Sequence, residues 1–263
     1  MRILFKGILI VSVIFFGART ILGTVSEEKK GIVTYADGQV KRRPLSTEKW
    51  ENAPVNTNVL AGDKVRTYQK SRAELNLADL DVIRLAPETT IDIFKLYQET
   101  KEKKVQTEIK LEKGEIWASV HKIKMDTQFD ISAPITAAAI TGTVLRMNVK
   151  PDTTTQLKVY SGEVKITNAP LRKDLKPKTL KPHEIQPPHE VPGPHKVSVE
   201  EWLYIVKSME QITIDKHGKV ISLSRFSPKD RDEKTSWVKW NKKRDKKWLK
   251  KLRKARKRKG FSF

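Results

Sequence analysis

The chain has 263 residues, 38% hydrophobic and 32% charged, so it can build a core of its own and is too long for a miniprotein held only by disulfides or a metal. It has no cysteine, which excludes disulfides, thiolate metal sites, a cysteine nucleophile and a lipid-modified N-terminal cysteine. The net charge is +22, but residues 237–263 hold 14 Lys/Arg against one acid, Asp245. The result is a mildly basic body with a strongly basic tail.

Arg2 and Lys6 precede an apolar run over 7–18, with Gly17, Arg19 and Gly23 at its end. A short positive region, about a dozen apolar residues and small residues after them form the layout of a secretory signal. The run falls short of the roughly 20 apolar residues a spanning helix needs. Residues 1–23 are therefore expected to be a signal peptide or an N-terminal membrane anchor. Positive charge ahead of the run places the rest of the chain outside the cytoplasm, periplasmic or envelope-associated.

Residues 30–167 read as short strands separated by turns. Asp37-Gly38 is a hairpin signal between Ile32-Val33 and Val40. Leu75, Leu77, Ile83, Leu85, Ile91 and Ile93 alternate in pairs. Lys110-Leu111-Glu112-Lys113-Gly114-Glu115-Ile116 is echoed 48 residues later by Lys158-Val159-Tyr160-Ser161-Gly162-Glu163-Val164. Both copies read as strand, tight Gly turn, strand, and suggest similar hairpins or rungs stacked in one β body. Residues 168–197 hold seven of the 13 prolines and read as an extended strap or linker. Over 198–224 a helix from Val199 to Met209 is expected, with Ser198 as N-cap and Trp202, Ile205, Val206 and Met209 on one face. A hairpin follows, Ile212-Thr213-Ile214 and Val220-Ile221-Ser222-Leu223 around Lys216-His217-Gly218. Residues 225–263 form the basic tail. If it is helical, Trp237, Trp248, Leu252 and Ala255 fall within about 60° of one another, a narrow apolar stripe on a cationic rod.

The 61–166 region resembles the FecR domain, found outside the cytoplasm in iron-uptake signalling regulators and in other envelope proteins. The resemblance rests on an ordered set of short blocks. These are Ala61-Gly62-Asp63-Lys64-Val65-Arg66-Thr67, Ser71-Arg72-Ala73-Glu74-Leu75 and the strand pair from Asp79-Leu80-Asp81 to Ala86-Pro87. Leu111-Glu112-Lys113-Gly114-Glu115-Ile116-Trp117, Ser132-Ala133-Pro134, Ile140-Thr141-Gly142-Thr143 and Val159-Tyr160-Ser161-Gly162-Glu163-Val164 complete it. Asp79-Leu80-Asp81 stands where the family usually has Asp-Gly-Ser, so that turn is expected to differ. The regulators carry a cytoplasmic anti-sigma segment ahead of a membrane helix. Six residues precede the apolar run here, so sigma-factor control by that route is not expected. The segment after Pro194 is also short for the regulators' receptor-contacting domain. What the resemblance implies is an extracytoplasmic, all-β, non-catalytic interaction domain. A β-solenoid or roll and a sandwich-like stack both satisfy the short strands, and the resemblance favours a solenoid-like or roll-like stack of sheets. The small helix-hairpin and the basic tail, helical or extended, are appended to it.

Three histidines recur every six residues, in Pro182-His183-Glu184, Pro188-His189-Glu190 and Pro194-His195-Lys196. In polyproline II, six residues separate them by roughly 19 Å. Ligands of one zinc must lie within about 4 Å of each other, so ring packing is expected and no metal site. No nucleophile elbow, phosphate-cradling Gly loop or His-Glu-x-x-His occurs. Asp79 and Asp81 read as a turn or solvated edge. No catalytic residues and no cofactor are expected.

The tail is the strongest handle. Lys242, Lys243, Arg244, Lys246, Lys247, Trp248, Lys250, Lys251, Arg253, Lys254, Arg256, Lys257, Arg258 and Lys259 are its candidate anionic-surface residues. Interleaved Trp suits an anionic membrane or an anionic envelope polymer, and in a second reading nucleic acid. The expected protein is an exported scaffold or sensory module whose β domain binds an envelope protein or glycan. No small-molecule substrate is indicated. The rival is a nucleic-acid-binding protein acting through the tail.

Overall fold

The computed structural model describes residues 30–77, 81–99, 105–121, 127–168, 177–178 and 201–258. The expected signal segment, the three histidines of the strap, the Ser198 cap, Asp79 and Lys259 lie outside these residues.

The described residues form strands β1 (Gly31–Asp37), β2 (Val40–Arg43), β3 (Glu51–Asn52), β4 (Asn58–Val59), β5 (Lys64–Thr67) and β6 (Arg72–Leu77). Next come β7 (Asp81–Leu85), β8 (Thr90–Glu99), β9 (Val105–Ser119), β10 (Thr127–Ala133), β11 (Thr136–Ile140) and β12 (Val144–Val149). The set ends with β13 (Thr155–Ser161), β14 (Glu163–Thr167), β15 (Pro177–Lys178), β16 (Leu203–Lys207), β17 (Glu210–Ile214) and β18 (Val220–Arg225). A 3-10 turn, Asp232–Lys234, leads into the helix α1 (Ser236–Arg258).

The pairings resolve into two sheets. The first runs β4-β1-β6-β7-β9-β12-β13-β17-β18 and is antiparallel throughout. The second runs β3-β2-β5-β8-β9-β10-β11-β14-β16-β15, with β9–β10 and β15–β16 parallel. Strand β9 belongs to both. Strand alternation points one residue in two inward. In the first sheet Leu75, Ile83, Ala118, Leu145 and Val159 stand opposite one another across five strands. In the second, Ile93, Ile109, Ile131, Ala138 and Ile166 do the same. All ten are buried in a single core. The all-β reading therefore holds, as a sandwich-like stack with a small helical appendage.

The 48-residue echo marks corners, not hairpins. Gly114 sits within β9, where its N-terminal part pairs in the second sheet and its C-terminal part in the first. Gly162 passes the chain from β13 in the first sheet to β14 in the second. Both have positive φ, +93° and +85°, which glycine adopts without steric cost. Each corner is clamped by a threonine. Thr89 Oγ1 donates to Glu115 O (3.1 Å), and Thr143 Oγ1 donates to Glu163 O (2.9 Å). Asp37-Gly38 is a third such corner. β1 pairs β4 and β6 while β2 pairs β3 and β5, so the hairpin expected there is corrected to a change of sheet.

The helix expected over 199–209 is also corrected. Leu203–Lys207 is strand β16, paired with β14, and Met209 (φ 65°) turns the chain into β17. Its Leu-Tyr-Ile-Val sequence suits a pleated surface, and the edge of β14 offers a ladder that local helical periodicity cannot match. Trp202 is buried, with Nε1 donating to Gly218 O (2.7 Å). The β17–β18 hairpin lies where the sequence placed it. Asp81 is no solvated edge. It is buried and accepts from Tyr97 OH (2.7 Å) and His121 N (2.9 Å).

Candidate functional site

The outer face of the first sheet carries an unusual row. Tyr35, Glu74, Arg84, Trp117, Arg146, Lys158, Gln211 and Ser224 stand opposite one another across eight strands. Arg84 is 1% exposed and Lys158 2%. Burying charges this deeply is costly unless each is paired. The partners come from the other end of the chain.

The 3-10 turn and the first half of α1 lie across this row. Trp237 and Val238 pack with Ala86 and Trp117 in a second apolar cluster, apart from the main core. Positions 237, 238, 241, 244, 245 and 248 share about a third of the helix circumference at 100° per residue. That face docks. Asp245 accepts from Arg84 Nη1 (2.6 Å) and from Trp117 Nε1 (2.9 Å). Glu74 accepts from Arg84 Nε (2.6 Å), from Arg244 Nε and Nη2 (2.7 and 2.6 Å) and from Thr34 Oγ1 (2.8 Å). Arg244 also stands over the rings of Tyr35 (4.8 Å) and Trp240 (5.1 Å), a favourable cation–π placement. Trp117 stacks on Tyr160 at 4.4 Å.

At the other end of the row, Asp232 binds Lys158 (2.5 Å) and Arg146. Glu233, 3% exposed, accepts from Tyr160 OH (2.8 Å) and Lys242 Nζ (3.0 Å). Burial, aided by the charge of Glu233 and opposed by Arg146, pushes the Tyr160 phenol well above its ordinary value. It therefore stays a neutral donor.

Burial alone would raise Glu74, but the bonds from Arg244 and Arg84 outweigh it and hold the carboxyl at about 2, below its ordinary 4.5. A carboxyl lowered by folding stabilises fully above its unfolded value, and that contribution disappears as pH falls through the folded value. Unfolding free energy is thus expected to drop between pH 4.5 and 2, by about 3 kcal/mol from this group. Asp232 is lowered too: burial opposes the shift, but bonds from Lys158 and Arg146 prevail. Urea titrations across this range should show a shallower acid limb in Glu74→Gln than in the parent chain.

The structure divides the candidate tail residues. Lys242 and Arg244 are committed to Glu233 and Glu74. Trp248 is half-buried beside Glu74 and Arg244, in a cleft of about 430 Å³. Lys243, Lys246, Lys247 and Lys250 are exposed and make no ion pair among the described residues. Lys251, Arg253, Lys254, Arg256, Lys257 and Arg258 continue the helix to its end. The sequence reading set 225–263 apart from the β body, yet Phe226, Glu233, Trp237, Val238 and Asn241 are buried. It passed over Glu74, Arg84, Arg146, Lys158 and the two acids of the 3-10 turn. A signal was present. Arg84, Arg146 and Lys158 each sit between apolar strand neighbours, in Ile83-Arg84-Leu85, Leu145-Arg146-Met147 and Leu157-Lys158-Val159.

Among the described residues no helix is long and apolar enough to cross a membrane, and no group of acids and histidines is placed to hold a metal ion.

Fold and site together define a two-sheet β domain with one face sealed by its own C-terminal helix. Residues 63–165, from just before β5 into β14, match the family described as FecR protein. Domains of this family are typically periplasmic, and the match supports a sensory or regulatory module. Two crystal structures of a "putative anti-sigma factor" from Parabacteroides distasonis are similar at 12% identity, with TM-scores of 0.42 and 0.41. In each case 62% of this chain is covered and 59% of the other, so the similarity spans under two thirds of either protein. Among curated protein sequences none matches the chain.

Proposed function

We propose that this protein is an exported, non-catalytic FecR-domain binding module that presents a fixed cationic arm to an anionic membrane or envelope polymer. The observation that carries this reading is the division of α1. Asp245, Arg244 and Trp237 hold one face of its first half against the β body, while Lys243, Lys246 and Lys247 on the opposite face, and Lys250 beyond them, remain exposed. A helix held at one end presents its charges with less loss of freedom than a tethered disordered tail. At roughly 1 kcal/mol per basic residue near an anionic surface, the distal lysines and arginines suffice to retain the protein there, and salt weakens that attraction.

The test is fractionation of the full chain beside a chain stopped after Leu249. Stopping at Ser236 instead would take Asp245 from Arg84 and Arg244 from Glu74 and confound binding with folding. The full chain is expected in the envelope and released by a high-salt wash. The shortened chain is expected as soluble extracytoplasmic protein with an unchanged thermal midpoint. Retention of the full chain in the cytoplasm with nucleic acid would overturn the reading in favour of the rival. Equal envelope retention of both chains would remove the arm from the account.

A further inference from the structure

We propose that the cleft between the end of β7, the Gly114 corner of β9, the end of β12 and the start of α1 binds a small zwitterion, either an amino acid or a short peptide with both ends free. This site is separate from the basic arm, and neither proposal needs the other. The cleft has a volume of about 720 Å³, within the range of small-ligand sites.

Two buried polar atoms in its lining have no hydrogen-bond partner among the described residues. Trp237 is 8% exposed, and its Nε1 has no acceptor. Glu115 Oε1 has no donor; its other oxygen accepts from Asn148 Nδ2 (3.1 Å), and Arg146 Nε stands 3.7 Å from Oε1. Leaving such groups unpaired is unfavourable. One ligand bearing both an acceptor and a donor satisfies them together. The first turn of α1 carries no acid to offset its partial positive charge, so the helix start favours a carboxylate there.

The charge balance separates a zwitterion from a simple anion. Three carboxylates (Glu88, Glu115 and Asp232) line the cleft against three cations (Lys113, Arg146 and Lys150). A lone phosphate would meet as many repulsive groups as attractive ones. A carboxylate set toward Trp237, the helix start and Lys150, with an ammonium set toward Glu115 and Glu88, uses both signs. The indole of Trp237 with Val149 and Pro151 supplies an apolar wall for a small side chain.

The experiment titrates alanyl-alanine into the full chain by calorimetry, beside its N-acetylated and C-amidated forms and inorganic phosphate. Saturable binding of the free dipeptide is expected, with either capped form about tenfold weaker or worse, as for loss of one charge-assisted hydrogen bond. Trp237→Phe keeps an aromatic ring, smaller than the indole, and removes the N–H, and should weaken binding about tenfold. Should that variant fail to fold, Lys150→Ala, at an exposed position, is expected to weaken binding with an unchanged urea midpoint. No saturable binding of the dipeptide would overturn the proposal. So would equal binding of a capped form or of phosphate, or full affinity in both variants.

Discussion

Asp245→Ala is expected to lose about 3–5 kcal/mol of stability, the range for breaking a buried ion pair from one side. Asp245 is the only acid in residues 237–263, and it bonds both Arg84 and Trp117. Its loss leaves Arg84, 1% exposed, with Glu74 as its remaining carboxylate partner. It also leaves the Trp117 indole N–H buried without an acceptor, which by itself costs about 1–3 kcal/mol. Urea unfolding followed by tryptophan fluorescence and far-ultraviolet circular dichroism measures the change. Lys246→Ala, one residue on and exposed, should stay within about 0.5 kcal/mol of the parent. In a double-mutant cycle, Asp245→Ala with Trp117→Phe should cost less than the sum of the two single changes. A midpoint unaffected by Asp245→Ala would mean that α1 does not dock as described.

Gly114→Ala is the second large effect. A Cβ built on Gly114 meets Thr89 Oγ1 at 2.5 Å and Thr89 Cα at 2.6 Å. The near atom includes backbone, so a side-chain rotation cannot relieve the clash. The positive φ adds about 1–2 kcal/mol for any residue with a Cβ. Together these place the loss at about 3 kcal/mol or more, in the range of severe packing and backbone lesions. Because β9 is shared by both sheets, the damage should reach the whole sandwich as a single cooperative transition at lower urea. Lys113→Ala, the exposed neighbour, should be close to neutral. Near-parental stability of Gly114→Ala would show that the corner can open without separating the sheets.

The places where the sequence misled share one cause. Asp37-Gly38 and the Gly114 and Gly162 turns were legible as sharp bends, since glycine at such a spacing is a local backbone requirement. Whether a bend folds a strand back on itself or moves it to the other sheet depends on which strand waits opposite, and that partner is distant in sequence. The 199–209 segment failed in the same way. Its apolar residues fit a helical face, but β14 offered a sheet edge, and non-local pairing overrode the local pattern. In the tail, the apolar stripe through Trp237 and Trp248 was visible, while its polar companions Asn241 and Asp245 on the docking face were not. They become meaningful only against Arg84 and Trp117.

By itself the sequence determined the all-β class, the FecR stretch, the corner glycines and the concentration of positive charge at the C-terminal end. These are matters of alternation, local φ and composition, each readable within a few residues. Only the tertiary structure decided that Glu74, Arg84, Arg146 and Lys158 form one buried row, that the 3-10 turn and α1 cover it, and that Lys243, Lys246, Lys247 and Lys250 are left exposed. Cross-strand register and helix docking join residues up to 170 positions apart, and a one-residue slip in any strand would turn its share of the row from the helix-covered face to the core.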